Sequence, residues 1–146
     1  MAINKVTLTL HEIFTRVANE KTREAKVQVL KQHNELFVRD VLKGSFDDAI
    51  EFILPSGAPP YEPCSSYNAP SHLRRQSKQF RYFAKGGPGE QMNVAKVERM
   101  FISLLEAIDP FDAKIVIAMK DKKLAGMYKG LTKKAVQEAF PNLISK

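Results

Sequence analysis

Apolar positions recur at intervals of three and four along most of this chain, the period of helices that each bury one face. Leu10, Ile13, Phe14 and Val17 form the first set, and Thr9 followed by Glu12 is a capping box at its start. The spacing predicts a second helix after Thr22, with Val27, Val29 and Leu30 in its apolar set. A third is predicted over about 35–43, carrying Leu36, Phe37 and Val41 with Val38 at its margin, and Gly44 is its expected left-handed stop. Ser45 with Asp48 three residues later predicts a short fourth helix over Phe46, Ile50 and Ile53. The strongest stripe is Val94, Val97, Phe101, Leu104, Leu105 and Ile108. Asp109-Pro110 ends that helix and opens the next, because aspartate caps and proline suits a first helical turn. Ile115, Val116, Ala118 and Met119 make the new helix largely buried, and Thr132 caps a last one carrying Ala135, Val136 and Phe140, stopped by Pro141.

Two stretches break the pattern. Five of the eight prolines fall between Pro55 and Pro70, where each removes a backbone donor and restricts its predecessor, so regular helix is excluded. An irregular stretch of this length is unusual inside a domain, and an ordered crossover held by Tyr61 and Tyr67 is expected rather than a mobile functional loop. Beyond it, Ser71 is the expected cap of a basic helix ending near Gly86. The fold class predicted is therefore all-α, a single domain over 1–146. It is a bundle of about seven or eight short helices with an irregular proline-rich central loop at 55–70.

Composition narrows the function classes. With 44% apolar and 27% charged residues in 146, the chain has the makings of one core. No apolar run approaches the 18 or so residues of a membrane span, and MAINKVTLTLHEIF lacks the long apolar stretch of a signal peptide. No membrane association is expected, and the cytoplasm is the expected compartment. Cys64 is the single cysteine, which excludes an intrachain disulfide and a zinc cage with several sulfur ligands.

Charge changes the picture more. Met1 to Pro70 carries 8 Lys/Arg against 9 Asp/Glu, whereas Ser71 to Lys146 carries 15 against 7. A basic half joined to a near-neutral one points to a polyanionic partner such as nucleic acid, or else to a lysine-rich surface kept for solubility. Within the basic half, Arg74, Arg75, Lys78, Arg81 and Lys85 are interleaved with Phe80, Tyr82 and Phe83, and no acidic residue lies between Ser71 and Gly89. On an α-helix Arg74, Lys78, Arg81 and Lys85 line one face and suit a row of phosphates; the alternative is a plain solvated face. A second cluster is KDKKLAGMYKGLTKK, from Lys120 to Lys134. Lys133 and Lys134 follow the cap Thr132, where the helix end is already partially positive, and a docked phosphate would reverse that penalty. Lysines simply extended into water are the alternative.

Enzyme signatures are sparse. His11, His33 and His72 have no metal-ligand spacing, Cys64 has no nearby cue for an activating base, and no GxxxxGK[ST] loop is present. Asp109, Asp112 and Lys114 faintly suggest a metal-dependent nuclease, but helix capping explains the acidic pair more simply. No enzymatic activity, metal or cofactor is expected.

The stretch FISLLEAIDPFDAKIVIAMKDKKLAGMYKGLTKKAVQEAFPNLI resembles the amino-terminal, all-helical DNA-binding domain of ATP-dependent DNA ligases, particularly the compact version in bacteriophages. LHEIFTRVANEKTREAKVQVLKQHNELFVRDVLKGSF is similar to the opening helices of that domain, and the proline-rich loop does not match. The chain is also similar to small uncharacterised proteins of tailed phages of marine bacteria. The ligase resemblance implies phosphate contacts on duplex DNA, intact or nicked, carried here by Lys120, Lys122, Lys123, Gly126, Gly130, Thr132, Lys133 and Lys134, and Lys129 between them is a further DNA-binding candidate. Arg74, Arg75, Lys78 and Arg81 join them on charge alone. The chain has no K-x-D-G motif for an adenylated lysine, so ligation chemistry is not implied. The expected function is a stand-alone, non-enzymatic DNA-binding module that contacts phosphates largely without sequence specificity. The alternative is a phage module that binds replication or transcription proteins of phage or host, with Tyr61 and Tyr67 as anchors.

Overall fold

The computed structural model describes residues 8–65 and 69–144, and among them it contains α-helices, short 3-10 helices and no strand. The α-helices are α1 (Leu10–Asn19), α2 (Arg23–Gln32), α3 (Leu36–Phe46), α4 (Leu73–Gln76), α5 (Val94–Ala107), α6 (Pro110–Lys120) and α7 (Lys133–Ala139). The all-α reading holds. Thr9 and Glu12 form the full capping box on α1, Thr22 and Thr132 cap α2 and α7 through their hydroxyls, and Asp109 caps α6 by accepting from Phe111 N.

α6 is the centre. Ala113, Ile115, Val116, Ala118 and Met119 are all buried, so it presents apolar side chains nearly all round, as an enclosed helix does. It contacts α1, α3 and α5, while α2 packs on α1 and α7. One apolar cluster runs through the whole, with Leu10, Ile13, Phe14, Val17, Leu104, Leu105 and Ile108 at 0–1% exposure. Truncating any of these large side chains to alanine costs about 2–5 kcal/mol.

Three predicted features are corrected. Gly44 does not stop α3, which continues to Phe46. The glycine is needed for close packing instead: a Cβ there would lie 2.8 Å from Met119 Sδ and 3.1 Å from Phe52 Cζ. The helix expected over Phe46, Ile50 and Ile53 does not form. Ser45 lies inside α3, and Asp47 organises a turn by accepting from Ala49 N at 2.9 Å. Segment 51–53 then pairs with 83–85 through an isolated antiparallel bridge, with Ile53 N donating to Phe83 O and Lys85 N to Glu51 O. Val94, counted in the α5 stripe, is 69% exposed at the start of its helix.

The described part of the proline-rich segment is an ordered crossover. Gly57 N donates to Asp121, Glu62 N to Glu106 Oε2 and Cys64 Sγ to Ile108 O, and half-buried Tyr61 packs on the core. Tyr67, its second expected anchor, lies outside the described residues.

Candidate functional site

The expected basic helix after Ser71 is mostly not α-helical. His72 rather than Ser71 precedes α4, which lasts a single turn before the chain tightens into a 3-10 helix over Ser77–Tyr82. Three residues per turn place i and i+3 in register, which changes the partners on every face. Ser77, Phe80 and Phe83 form the buried column; Gln76, Gln79 and Tyr82 form a half-buried one; Arg75, Lys78 and Arg81 form the exposed one. At the 2.0 Å rise of this helix, Lys78 and Arg81 are about 6 Å apart along the axis. The four-three-four row of Arg74, Lys78, Arg81 and Lys85 is thereby corrected to a three-three row.

Arg74 leaves the row altogether. Its guanidinium holds both oxygens of Glu35 at 2.8 Å and lies 4.5 Å over the Phe37 ring. The hydrogen bond to Glu35 holds this cation more firmly protonated than usual. Lys85 pairs with Glu51 at 3.0 Å. Arg75, Lys78 and Arg81 make no ion pair with any described carboxylate; Arg81 lies over its neighbour Tyr82, 5.1 Å from the ring centre.

This ridge is firmly placed. Ser71 N donates to Ala107 O at the end of α5, and Phe83 meets Phe101 of α5 edge to face at 5.2 Å. Gly89 in the following turn lies against the Tyr82 carbonyl so closely that any Cβ would collide with it. A cleft opens on each side of the ridge. One of about 230 Å³ lies toward α3 and includes Asp40, Lys43, Lys78 and Arg81. Burial raises the Asp40 carboxyl above its ordinary value, with Arg39 opposing. The other, a groove of about 600 Å³, lies toward α5 between Gln76 and Gln79 on one wall and Lys96, Arg99 and Ser103 on the other.

The second basic cluster divides into members engaged by the chain's own carbonyls and free members. Lys120 is 2% exposed, and its ammonium donates to Pro55 O at 2.7 Å, Gly57 O at 3.1 Å and Asp121 Oδ1 at 2.6 Å. Lys122 takes a left-handed backbone, φ 60°, and donates to Gly44 O and Asp47 O at the end of α3. Burial lowers its pKa, opposed by the carboxylates of Asp47, Asp48 and Glu51. Both lysines thus serve as caps for the chain's own carbonyls. Lys123, Lys129, Lys133 and Lys134 are exposed, with Lys133 3.4 Å from Asp48. Gly126 has open space around it and no left-handed φ, whereas Gly130 has φ 79° and leaves room for the Lys26 side chain. Thr132 Oγ1 already takes the Ala135 N–H at the start of α7, so the lysines there offer side chains more than backbone donors.

The two clusters do not merge. Segment 47–51 lies between them, touching Lys122 and Lys133 on one side and Lys85 on the other, and it carries Asp47, Asp48 and Glu51. Asp109 and Asp112 act separately as well. Asp109 caps its own helix, while buried Asp112 reaches across to accept from His11 N at 2.8 Å and Leu10 N at 3.4 Å, capping α1. Burial pushes its carboxyl up to about 6, opposed by those N–H donors. Among the described residues no group of three His, Cys, Asp or Glu is placed to hold a metal ion, and no helix is long and apolar enough to cross a membrane.

Sequence reasoning missed Lys96 and Arg99, which share one face of α5 by their i,i+3 spacing, and the carboxamides opposite them. It also missed Lys26, whose ammonium caps α1 by donating to Val17 O, Ala18 O and Glu20 O and reaches Lys129 O. No local signal marks a lysine for that role, because one of its acceptors is 103 residues away.

No curated protein and no solved structure matches this chain. One protein family does match, over residues 13–126, a stretch that contains the ridge, both of its clefts and the crossover. The chain therefore belongs to that family, whose description is a family of unknown function, DUF6433.

Proposed function

We propose that this protein is a non-enzymatic DNA-binding module that contacts the sugar–phosphate backbone of duplex DNA largely without sequence specificity. The observation that carries this reading is the exposed column Arg75, Lys78 and Arg81, which runs from the single turn of α4 onto the 3-10 helix with no described carboxylate paired to it. An ordinary solvated surface disperses its cations among acids, as Lys85 with Glu51 and Lys133 with Asp48 do elsewhere in this chain. Arginine suits phosphate recognition because its planar fork donates bidentately. Such contacts fix position on a duplex without reading sequence. Lys123, Lys129, Lys133 and Lys134 supply a second, weaker contact beyond the acidic strip. Arg74, Lys120 and Lys122 are not counted in the surface, since their donors are engaged by the chain's own carboxylates and carbonyls.

The rival reading, a protein-interaction module, draws on Phe111, which is 47% exposed and stacks on His11 at 4.5 Å. Electrophoretic retardation of intact, nicked and single-stranded DNA of equal length separates the two. The proposal expects retardation of both duplexes, moderately weakened by Lys133→Glu/Lys134→Glu. Absence of retardation at 50 mM salt, together with a partner whose binding is lost on Phe111→Ala, would establish the rival instead.

A further inference from the structure

We infer that the groove between the 3-10 ridge and α5 is the seat of one phosphodiester strand, with Lys96, Arg99 and Ser103 as its second wall. This rests on the DNA-binding reading and deepens it by naming where the backbone lies. Of the two clefts flanking the ridge, the one toward α3 contains Asp40, whose ionised form would repel a phosphate. The groove toward α5 has no carboxylate in its lining. Its polar groups are two cations, two carboxamides and a hydroxyl, the side-chain types that donate to phosphate and sugar oxygens.

The acidic residues of α5 are turned elsewhere. Glu98 lines the separate cavity under the proline-rich crossover, and Glu106 Oε2 accepts from Glu62 N in that crossover. One helix thus presents cations and a hydroxyl to the groove and carboxylates to the loop behind it. The Ser71 N–Ala107 O hydrogen bond and the Phe83–Phe101 contact tie the wall to the ridge. Gln79 Nε2 donates to Gln76 Oε1 at 2.6 Å, which aligns the carboxamides along the opposite wall.

Dimensions agree with one strand. From Lys96 to Ser103 α5 rises about 10 Å, enough to face two adjacent phosphates of one strand. The groove of about 600 Å³ is shallow and open to solvent, so a strand can reach it. No aromatic side chain is among its lining residues, so it offers no platform on which unpaired bases stack. Backbone contact to a duplex is the mode left to it.

Fluorescence anisotropy of a labelled 20-base-pair duplex tests the assignment, with full-length wild type, Lys96→Gln/Arg99→Gln and Arg75→Gln/Lys78→Gln/Arg81→Gln across 50–300 mM salt. Losing two phosphate contacts should make the log–log salt slope shallower by about 2 and weaken binding about 50-fold at 100 mM salt. Both groove residues are exposed, so the urea midpoint should stay at its wild-type value. If the ridge variant loses binding while the groove variant keeps wild-type affinity and slope, the groove assignment is overturned and the DNA-binding reading stands. No wild-type binding to duplex at 50 mM salt overturns both. Polyglutamate of equal charge competing as well as unlabelled duplex would overturn the assignment in favour of an acidic protein segment.

Discussion

Replacing Lys120 by methionine should destabilise the fold by about 3 kcal/mol while leaving DNA affinity of the folded protein unchanged. Read from the sequence alone this lysine is a DNA-contact candidate, so the substitution separates a ligand contact from a structural one. Its side chain is 2% exposed and that of Asp121 8%. Methionine keeps most of the stem in the same space but removes the donor to Pro55 O, Gly57 O and Asp121 Oδ1. The Asp121 carboxylate would then be held by the Gly57 N–H, and the Pro55 and Gly57 carbonyls would lose their charged donor. Removing one partner of a buried ion pair costs about 3–5 kcal/mol; the lower end applies because Asp121 keeps a donor. With a urea m-value of about 2 kcal/mol/M for a chain of this size, the midpoint should fall by about 1.5 M. Lys120→Met/Asp121→Asn should recover about 1–2 kcal/mol of the loss, since the uncompensated buried charge is gone. Urea titration followed by far-UV circular dichroism measures all three. A Lys120→Met midpoint within about 0.3 M of wild type would refute the buried assignment. Loss of DNA affinity at unchanged stability would restore Lys120 to the binding surface.

Three further outcomes follow from other sites. Asp112 has a carboxyl raised to about 6 by burial, so the folded state binds that proton more tightly than the unfolded chain does, with its ordinary value near 3.9. Its favourable contribution is present in full below about pH 4 and lost as pH rises through 6; the wild-type minus Asp112→Asn difference in stability should fall by up to about 3 kcal/mol over that window, and a flat difference refutes the assignment. Gly89→Ala places a methyl against the Tyr82 carbonyl and should cost about 1–3 kcal/mol in urea unfolding while weakening DNA binding by shifting the ridge; an unchanged midpoint contradicts the close approach. Lys26→Met leaves the carbonyls at the end of α1 without their donor and should lower stability by about 2–3 kcal/mol, whereas Lys123→Met, on an exposed side chain, should change it by less than about 0.5.

What the sequence reveals here is the chemistry that acts over three or four residues. Thr9, Thr22, Asp109 and Thr132 cap the helices expected of them, because a cap and its acceptor are near neighbours in the chain. The α5 and α6 stripes were legible for the same reason. Gly44 was misread because a glycine stopping a helix and a glycine admitting Met119 and Phe52 look alike until the fold brings those side chains in. The 3-10 ridge was misread because Phe80 and Phe83, three apart, fit both helix types, and the choice depends on how Phe83 meets Phe101. Least legible were the lysines. Lys26, Lys120 and Lys122 count as surface charge in any composition, yet each is spent on backbone carbonyls, and acceptors of Lys120 and Lys122 lie 63 to 78 residues away. The basic surface is therefore smaller than the charge total suggests and is centred on Arg75, Lys78 and Arg81.

The salt dependence of duplex binding tests that centre most directly. Wild-type protein and Arg75→Glu/Lys78→Glu/Arg81→Glu should be titrated against a labelled duplex from 50 to 300 mM salt. Three ridge cations and two on α5 give at least five phosphate contacts, and the account predicts a log–log slope of about −4.5 or steeper, with binding by the variant lost throughout the range. A slope near zero, or a variant that binds as tightly as wild type, would contradict it.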